Sequence, residues 1–300
     1  MTSTASDAPE SDMLALSTET SYATIPNRVV RADNGIDYTY REIGSGDLPL
    51  VLLQHFRGNL DNWDPPLVDA LAAHHRVIAF NNVGVGSSTG TTPDTIGQMA
   101  RDAIAFIATL DVSQVDILGF SIGSFVAQDI ALYRPDVVRR LVLASSAPRG
   151  GSGMHGWAPE VIGAVGKPEP DPNGYLDVFF TSSEASRGAG EQALGRIFGR
   201  ADADTFTTWA TTQAQYDAVC EWGIPNHAEL QRVNAIEHPV FIANGDSDPM
   251  IQPHFSHLLA GLIPQATVKI YPDAAHGFLF QHANEFASDV TEFLARDEES

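Results

Sequence analysis

Short apolar runs that recur between helix-length segments decide what this chain can fold into. Residues 49–56 read PLVLLQHF, 76–82 RVIAFNN, 114–120 QVDILGF, 138–146 VRRLVLASS, 238–244 HPVFIAN and 266–271 ATVKIY. A strand open to water on one face alternates apolar and polar residues, whereas a strand covered on both faces stays apolar throughout. Most of these runs are of the second kind. Between them, segments 63–74, 95–110, 122–133, 253–262 and 284–295 fit helices, the third stopping ahead of Pro135 because a residue before proline avoids the helical region. Such alternation predicts an α/β architecture, a parallel sheet clad with helices on both faces. Two more strands, 27–31 and 36–43, precede the first apolar run and bring the expected sheet to eight.

The alternation breaks between about 149 and 237. That stretch offers helix-like pieces at 174–181, 191–200, 204–221 and 228–235, no convincing buried strand, and many aromatic side chains. The expected organisation is an α/β core formed by 25–148 and 238–300, a helical insertion at 149–237, and a mobile N-terminal tail at 1–24. The tail is rich in Ser, Thr, Ala, Asp and Glu, without the basic start and apolar stretch of a secretory signal. No repeat of 20–50 residues is present.

Charge and cysteine content narrow the function classes. Seventeen basic against 38 acidic residues give 17 − 38 = −21, a field that repels nucleic acid and anionic lipid. Neither is an expected partner; a small-molecule substrate is. The one cysteine, Cys220, allows no intramolecular disulfide and no cysteine-based metal cage. No apolar run approaches the roughly 18–20 residues of a membrane span, and the expected compartment is the cytoplasm.

The pattern Gly-x-Ser-x-Gly occurs twice, at Gly119-Phe120-Ser121-Ile122-Gly123 and at Gly86-Ser87-Ser88-Thr89-Gly90. Only the former follows a buried strand and opens a helix. There a hydroxyl would project from a sharp turn above the sheet edge, and the helix N-terminus would offer unpaired N–H groups where an oxyanion develops. The Ile122 N–H is the natural first donor. Ser88 reads as a loop residue. A serine needs a base, and the base needs a carboxylate to orient it. Two downstream segments sit just past strand ends, the sheet edge where such sites form: Asn244-Gly245-Asp246-Ser247-Asp248-Pro249 and Asp273-Ala274-Ala275-His276-Gly277-Phe278. They leave Asp246 and Asp248 as candidate acids. His276 is the candidate base, whereas His254, His257 and His282 fall on expected helices or their starts.

In these motifs, and in their order Ser, acid, His, the chain resembles the α/β-hydrolase family, particularly its cap-bearing esterases, lactonases and cofactor-free haloperoxidase-like members. The likeness runs from about residue 27 to 296. It implies a mostly parallel eight-stranded sheet with a helical cap after the sixth strand, Ser121 as nucleophile, His276 as base, and Asp248 as acid at the family's Gly-x-x-Asp position. It also implies a second oxyanion donor in the loop after 49–53, where the family shows His-Gly-x and this chain shows Gln54-His55-Phe56. By register the donor is the Phe56 N–H. A Cβ at His55 restricts any positive φ that glycine would permit there. After the next strand the family's Asp-x-Arg-Gly is replaced by Asn81-Asn82-Val83-Gly84, an ion pair giving way to neutral groups.

The expected reaction is hydrolysis of an ester or lactone of a small to medium hydrophobic substrate through an acyl-enzyme, with no cofactor and no metal. The insertion should cover the pocket, and His55, Arg57, Trp157, Phe179, Phe180, Trp209 and Tyr216 are its candidate lining, Arg57 biasing it toward a carboxylate-bearing substrate. The alternatives are a cofactor-free perhydrolase or haloperoxidase, a carbon–carbon bond hydrolase, or a non-catalytic ligand-binding member of the fold. Relatives with an aspartate or cysteine nucleophile are set aside because the elbow holds serine.

Overall fold

The computed structural model describes residues 20–169 and 171–296. Its sheet has eight strands: β1 Arg28–Arg31, β2 Asp37–Ile43, β3 Pro49–Leu53, β4 Arg76–Phe80, β5 Val115–Phe120, β6 Val138–Ala144, β7 Val240–Gly245 and β8 Ala266–Tyr271. They lie in the spatial order β1-β2-β4-β3-β5-β6-β7-β8. The β1–β2 and β2–β4 pairs are antiparallel, and every pairing from β4 through β3 to β8 is parallel. Strands β3, β5 and β7 are buried at every residue, which is why their sequences show no alternation.

The helices, in chain order, are α1 Pro65–Ala72, α2 Ile96–Ala108, α3 Ile122–Tyr133, α4 Pro159–Val165, α5 Pro172–Phe179, α6 Glu184–Ile197, α7 Trp209–Trp222, α8 His227–Gln231, α9 His254–Leu262, α10 Phe278–Gln281 and α11 Ala283–Ala295. Local chemistry sets their starts. Proline opens α1, α4 and α5 at a position where its missing N–H is not needed. Side chains of Thr95, Ser183 and Thr208 cap α2, α6 and α7. The Ser183 cap explains why α6 begins seven residues before the expected 191. The Thr208 cap explains why α7 begins at Trp209 rather than at 204. Helix α3 is buried from Ile122 to Ala131, and its buried Ser124 and Gln128 side chains both bond to Ser146.

Helices α4–α8 and a 3-10 turn at Arg232–Ala235 occupy the chain between β6 and β7. Polar ties bind this segment to the strand-bearing part. Arg196 of α6 grips the carboxylate of Asp64 through two bonds of 2.8 and 2.7 Å. Arg200 donates to the carbonyls of Tyr22, Ala23 and Ile25. Asn81 sits where the resemblance led us to expect neutral groups alone, yet a charge is present, supplied from the inserted segment. The Asn81 amide donates to Asp204 (2.5 Å), and the same Asp204 oxygen accepts from the Ser87 N–H and hydroxyl.

Of the tail expected at 1–24, only residues 20–24 fall among the described residues. Residues 1–19 lie outside the described residues, but Tyr22 is buried. Its hydroxyl donates to the Leu60 carbonyl (2.8 Å) and its N–H to Asp69 (2.7 Å). The aromatic ring fills a gap beside α1, so the chain is anchored before β1 begins. Among the described residues no helix is long and apolar enough to cross a membrane.

Candidate active site

Strand β5 delivers Ser121 in a conformation that a side chain rarely adopts, φ +57° and ψ −124°. Surrounding bonds hold it there. The Ser121 N–H donates to the Ala144 carbonyl (2.9 Å), and its own carbonyl accepts from the Ser124 N–H (2.8 Å) and hydroxyl (2.5 Å). The flanking glycines are required by crowding. A Cβ on Gly119 would lie 2.4 Å from the Gly123 carbonyl oxygen, and one on Gly123 would lie 2.2 Å from that of Leu53. Helix α3 can therefore start directly against the ends of β5 and β3. Its first N–H, that of Ile122, has no acceptor among the described residues and points the positive end of a helix dipole at this spot. Ser88, in the other Gly-x-Ser-x-Gly, bridges backbone instead, accepting from the Thr39 N–H and donating to the Asn81 carbonyl, both at 2.9 Å.

Asp248 and His276 meet where the loops after β7 and β8 cross. His276 Nδ1 lies 2.8 Å from Asp248 Oδ2, with both side chains buried. The other carboxylate oxygen accepts the N–H groups of Met250 (2.8 Å) and Ile251 (2.9 Å), which fixes its plane. A carboxylate accepts, so Nδ1 carries a hydrogen and Nε2 is the ring nitrogen turned away from Asp248. Asp246 instead accepts from the N–H groups of Asp273 and Ala274 and so shapes the turn leading to His276. His254 and His257 are exposed on α9, and the His282 ring bonds the Pro272 carbonyl. The His276 ring packs at 5.1 Å against both Phe120, the residue before Ser121, and Phe179. The Ser121 hydroxyl makes no hydrogen bond to any described residue, His276 included.

The loop from Gln54 to Gly58 resolves the concern over His55. The positive φ falls two residues later, at Arg57 (+65°), so the Cβ of His55 meets no conformational penalty. Gln54 braces the turn, accepting from the His55 N–H (2.8 Å) and donating to the Asn59 carbonyl (3.2 Å). The Phe56 N–H, like that of Ile122, has no acceptor among the described residues. His55 itself is buried. Its Nδ1 is 2.8 Å from the Phe56 carbonyl and its Nε2 is 3.3 Å from the Tyr175 hydroxyl. Burial pushes the imidazole down to about 3, outweighing the bond to the Phe56 carbonyl, so this ring is neutral.

His276 and the loop at 54–58 border a cavity of about 80 Å³, walled by His55, Phe56, Tyr175, Phe179, Met250 and His276 among others; Ser121 is not one of its lining residues. Of the residues expected to line it, His55, Arg57 and Phe179 do. Trp157, Phe180, Trp209 and Tyr216 do not. Trp157 stands behind Phe56 (5.0 Å between rings) and Tyr216 stands behind Trp157 (5.3 Å). Phe180 follows the end of α5 and lies over Gly190 of α6, while Trp209 opens α7 facing outward. The Arg57 guanidinium, expected to bias the pocket toward a carboxylate, donates to the carbonyls of Val165 (2.9 Å), Lys167 (2.6 Å) and Pro168 (3.1 Å). Tyr175 is a lining residue that the sequence did not single out. It stacks on Phe179 at 3.7 Å, and their i, i+4 spacing on one helix was the available signal.

Comparison with known proteins points the same way as the geometry. A family model described as alpha/beta hydrolase fold matches residues 49–283. The chain is 35% identical over 115 residues to the putative non-heme bromoperoxidase BpoC of Mycobacterium tuberculosis, covering 38% of this chain and 44% of that one; the match thus spans less than half of that relative. It is 29% identical to the poly(3-hydroxyalkanoate) depolymerase of Ectopseudomonas oleovorans, over 90% of this chain and 93% of the other. Among solved structures, an alpha/beta hydrolase fold protein from Chitinophaga pinensis superposes with a TM-score of 0.86 at 36% identity, over 93% of this chain and all of that one. With the family model covering most of its length, the chain belongs to the alpha/beta hydrolase fold family.

Proposed function

We propose that this protein is a serine hydrolase that cleaves an ester or lactone of a small to medium, largely apolar substrate. In this reading Ser121 Oγ attacks the acyl carbonyl while His276 Nε2 takes its proton. Asp248 holds the imidazole in the required tautomer and stabilises the imidazolium. The N–H groups of Phe56 and Ile122 receive the developing oxyanion. The alcohol leaves with the proton from His276, an acyl-enzyme remains, and His276 then activates the water that releases the acid. The segment between β6 and β7 acts as a cap that excludes bulk water.

The observation that carries this reading is the bond between His276 and Asp248, with the His276 ring packed on Phe120, the residue before a buried serine held at positive φ. Binding alone calls for neither the backbone strain nor the oriented imidazole. The hydrogen bond from serine to histidine is the contact still to be made, and such bonds tighten around bound substrate. The similarity to a depolymerase of a polyester supports an ester substrate.

A fluorophosphonate probe and p-nitrophenyl acetate test the proposal. Stoichiometric labelling at Ser121, lost in His276→Ala, is the expected result, with kcat reduced by roughly 10⁶-fold in Ser121→Ala. A folded protein that takes no label and shows no acyl-enzyme burst would refute it. The similarity to a bromoperoxidase favours one variation, in which hydrogen peroxide replaces water and the acyl-enzyme leaves as a peracid. Peracid formation in acetate with peroxide, abolished in Ser121→Ala, would place this chain with that chemistry.

A further inference from the structure

His55 and Tyr175 perform no step of the proposed acyl transfer, yet both line the cavity that holds His276. The His55 ring lies 5.2 Å from Phe120 and 5.3 Å from Phe179, the two rings that also pack on His276. The pair thus shares its aromatic neighbours with His276, and His55 directly precedes Phe56, whose N–H is the proposed oxyanion donor.

The protons of the pair can be placed by elimination. The Phe56 carbonyl can only accept, so His55 Nδ1 carries hydrogen. Burial keeps that imidazole neutral at ordinary pH, which leaves a lone pair on Nε2. Burial also raises the Tyr175 phenol well above its usual range, so it stays protonated, and it is the donor to Nε2 at 3.3 Å. A phenol has one proton. Committed to His55, it leaves the oxygen of Tyr175, a residue that lines the cavity, as an acceptor alone.

We propose, building on the hydrolase reading, that the His55–Tyr175 pair is a specificity element that accepts a hydrogen bond from the substrate. It selects acyl groups carrying a hydroxyl or an amide N–H near the reacting carbonyl. A donor there completes a chain from substrate through Tyr175 to His55 and on to the Phe56 carbonyl. An ether or ketone at the same place sets lone pair against lone pair, and sites built around a buried hydrogen bond reject partners that cannot make it.

The test compares kcat/KM for p-nitrophenyl esters of 3-hydroxybutyrate and 3-methoxybutyrate in the wild type, Tyr175→Phe and His55→Leu. Both esters are read on the same active enzyme, so a loss of folded protein cancels in the ratio. The wild type should favour the hydroxy ester by about ten-fold or more. Tyr175→Phe should bring the ratio close to one. His55→Leu frees the phenol proton to point into the cavity and should shift the ratio toward the methoxy ester. If His55→Leu does not fold, Tyr175→Phe decides alone. A wild-type ratio near one, or a ratio that Tyr175→Phe leaves unchanged, overturns the proposal. Fluorophosphonate labelling run alongside separates the two readings. A labelled enzyme that turns over both esters without preference overturns the role of the pair alone. Absent labelling with absent turnover counts against both.

Discussion

The backbone of Gly123 passes so close to that of Leu53 that a Cβ on the glycine would fall 2.2 Å from the leucine carbonyl oxygen. One residue before Gly123 is the Ile122 N–H, and three residues after Leu53 is the Phe56 N–H. The close approach therefore sets the spacing of the two proposed oxyanion donors. Gly123→Ala must push the start of α3 away from the loop at 54–58. We expect kcat on p-nitrophenyl acetate to fall by about 10²–10³-fold, the effect of losing one such donor, with the far-ultraviolet circular dichroism retained. A folded variant with undiminished kcat would show that the spacing is irrelevant to rate.

His55 makes stability depend on pH. Its imidazole is held at about 3 in the folded chain against an ordinary value of 6.5. Between those values the unfolded chain binds a proton that the folded chain refuses, so stability rises with pH across the interval. It is fully present above about 6.5 and is lost as pH falls toward 3. From pH 7 to pH 5 this one group removes about 2 kcal/mol. Urea unfolding at the two pH values should show His55→Leu losing about 2 kcal/mol less than the wild type. Equal losses would mean that His55 is protonated in the folded chain.

The carboxylate of Asp64 is fully buried, and Arg196, about one third exposed, holds both its oxygens. Burial raises the Asp64 carboxyl above its usual range while the arginine bonds oppose that shift. Arg196→Ala should cost about 1–3 kcal/mol, the lower end reflecting solvent screening of the exposed guanidinium. Adding Asp64→Asn should restore part of the loss, because the stranded charge is then removed. Denaturant midpoints of the single and double variants measure this, and a double variant less stable than Arg196→Ala would contradict it.

Tyr22 ties the chain down ahead of β1 through a buried ring and a bond to the Leu60 carbonyl. Tyr22→Ala should lower stability by about 3–5 kcal/mol, as for other buried aromatic truncations. A change below about 1 kcal/mol in urea unfolding would show that the anchor is dispensable.

The sheet was legible because strands such as β3 and β5 are buried on both faces, and an unbroken apolar run leaves few alternatives. The elbow was legible because glycine, serine and glycine at fixed offsets between strand and helix answer a steric demand that Gly119 and Gly123 meet directly. Local sequence said much less about the segment between β6 and β7. Helix α6 reads EASRGAGEQALGRI, whose glycines and serine mute helical periodicity, and its start is set by the Ser183 cap. The pocket residues were harder still. Trp157, Tyr216 and Phe180 carry the right chemistry for a wall, but layering decides which ring faces the cavity, and Phe56 and Phe179 stand in front of them. The role of Arg57 was hidden for a similar reason: its partners are backbone carbonyls more than 100 positions away, which no side-chain pattern announces.

Arg57 joins the turn at 54–58 to α4 and α7. Its main chain belongs to the same turn as Phe56, its N–H is held by Gln215 of α7, and its side chain grips the end of α4 and the residues just beyond. A shift of α4 or α7 away from the turn would have to break these bonds or drag along the turn that carries the proposed oxyanion donor. Beside this turn the Thr207 hydroxyl donates to the Arg57 carbonyl (2.6 Å), and the neighbouring Phe206, with Phe198, borders the cavity with its ring open to water. Two exposed rings thus stand next to the pinned turn, and under the proposed reading an apolar guest would meet them there.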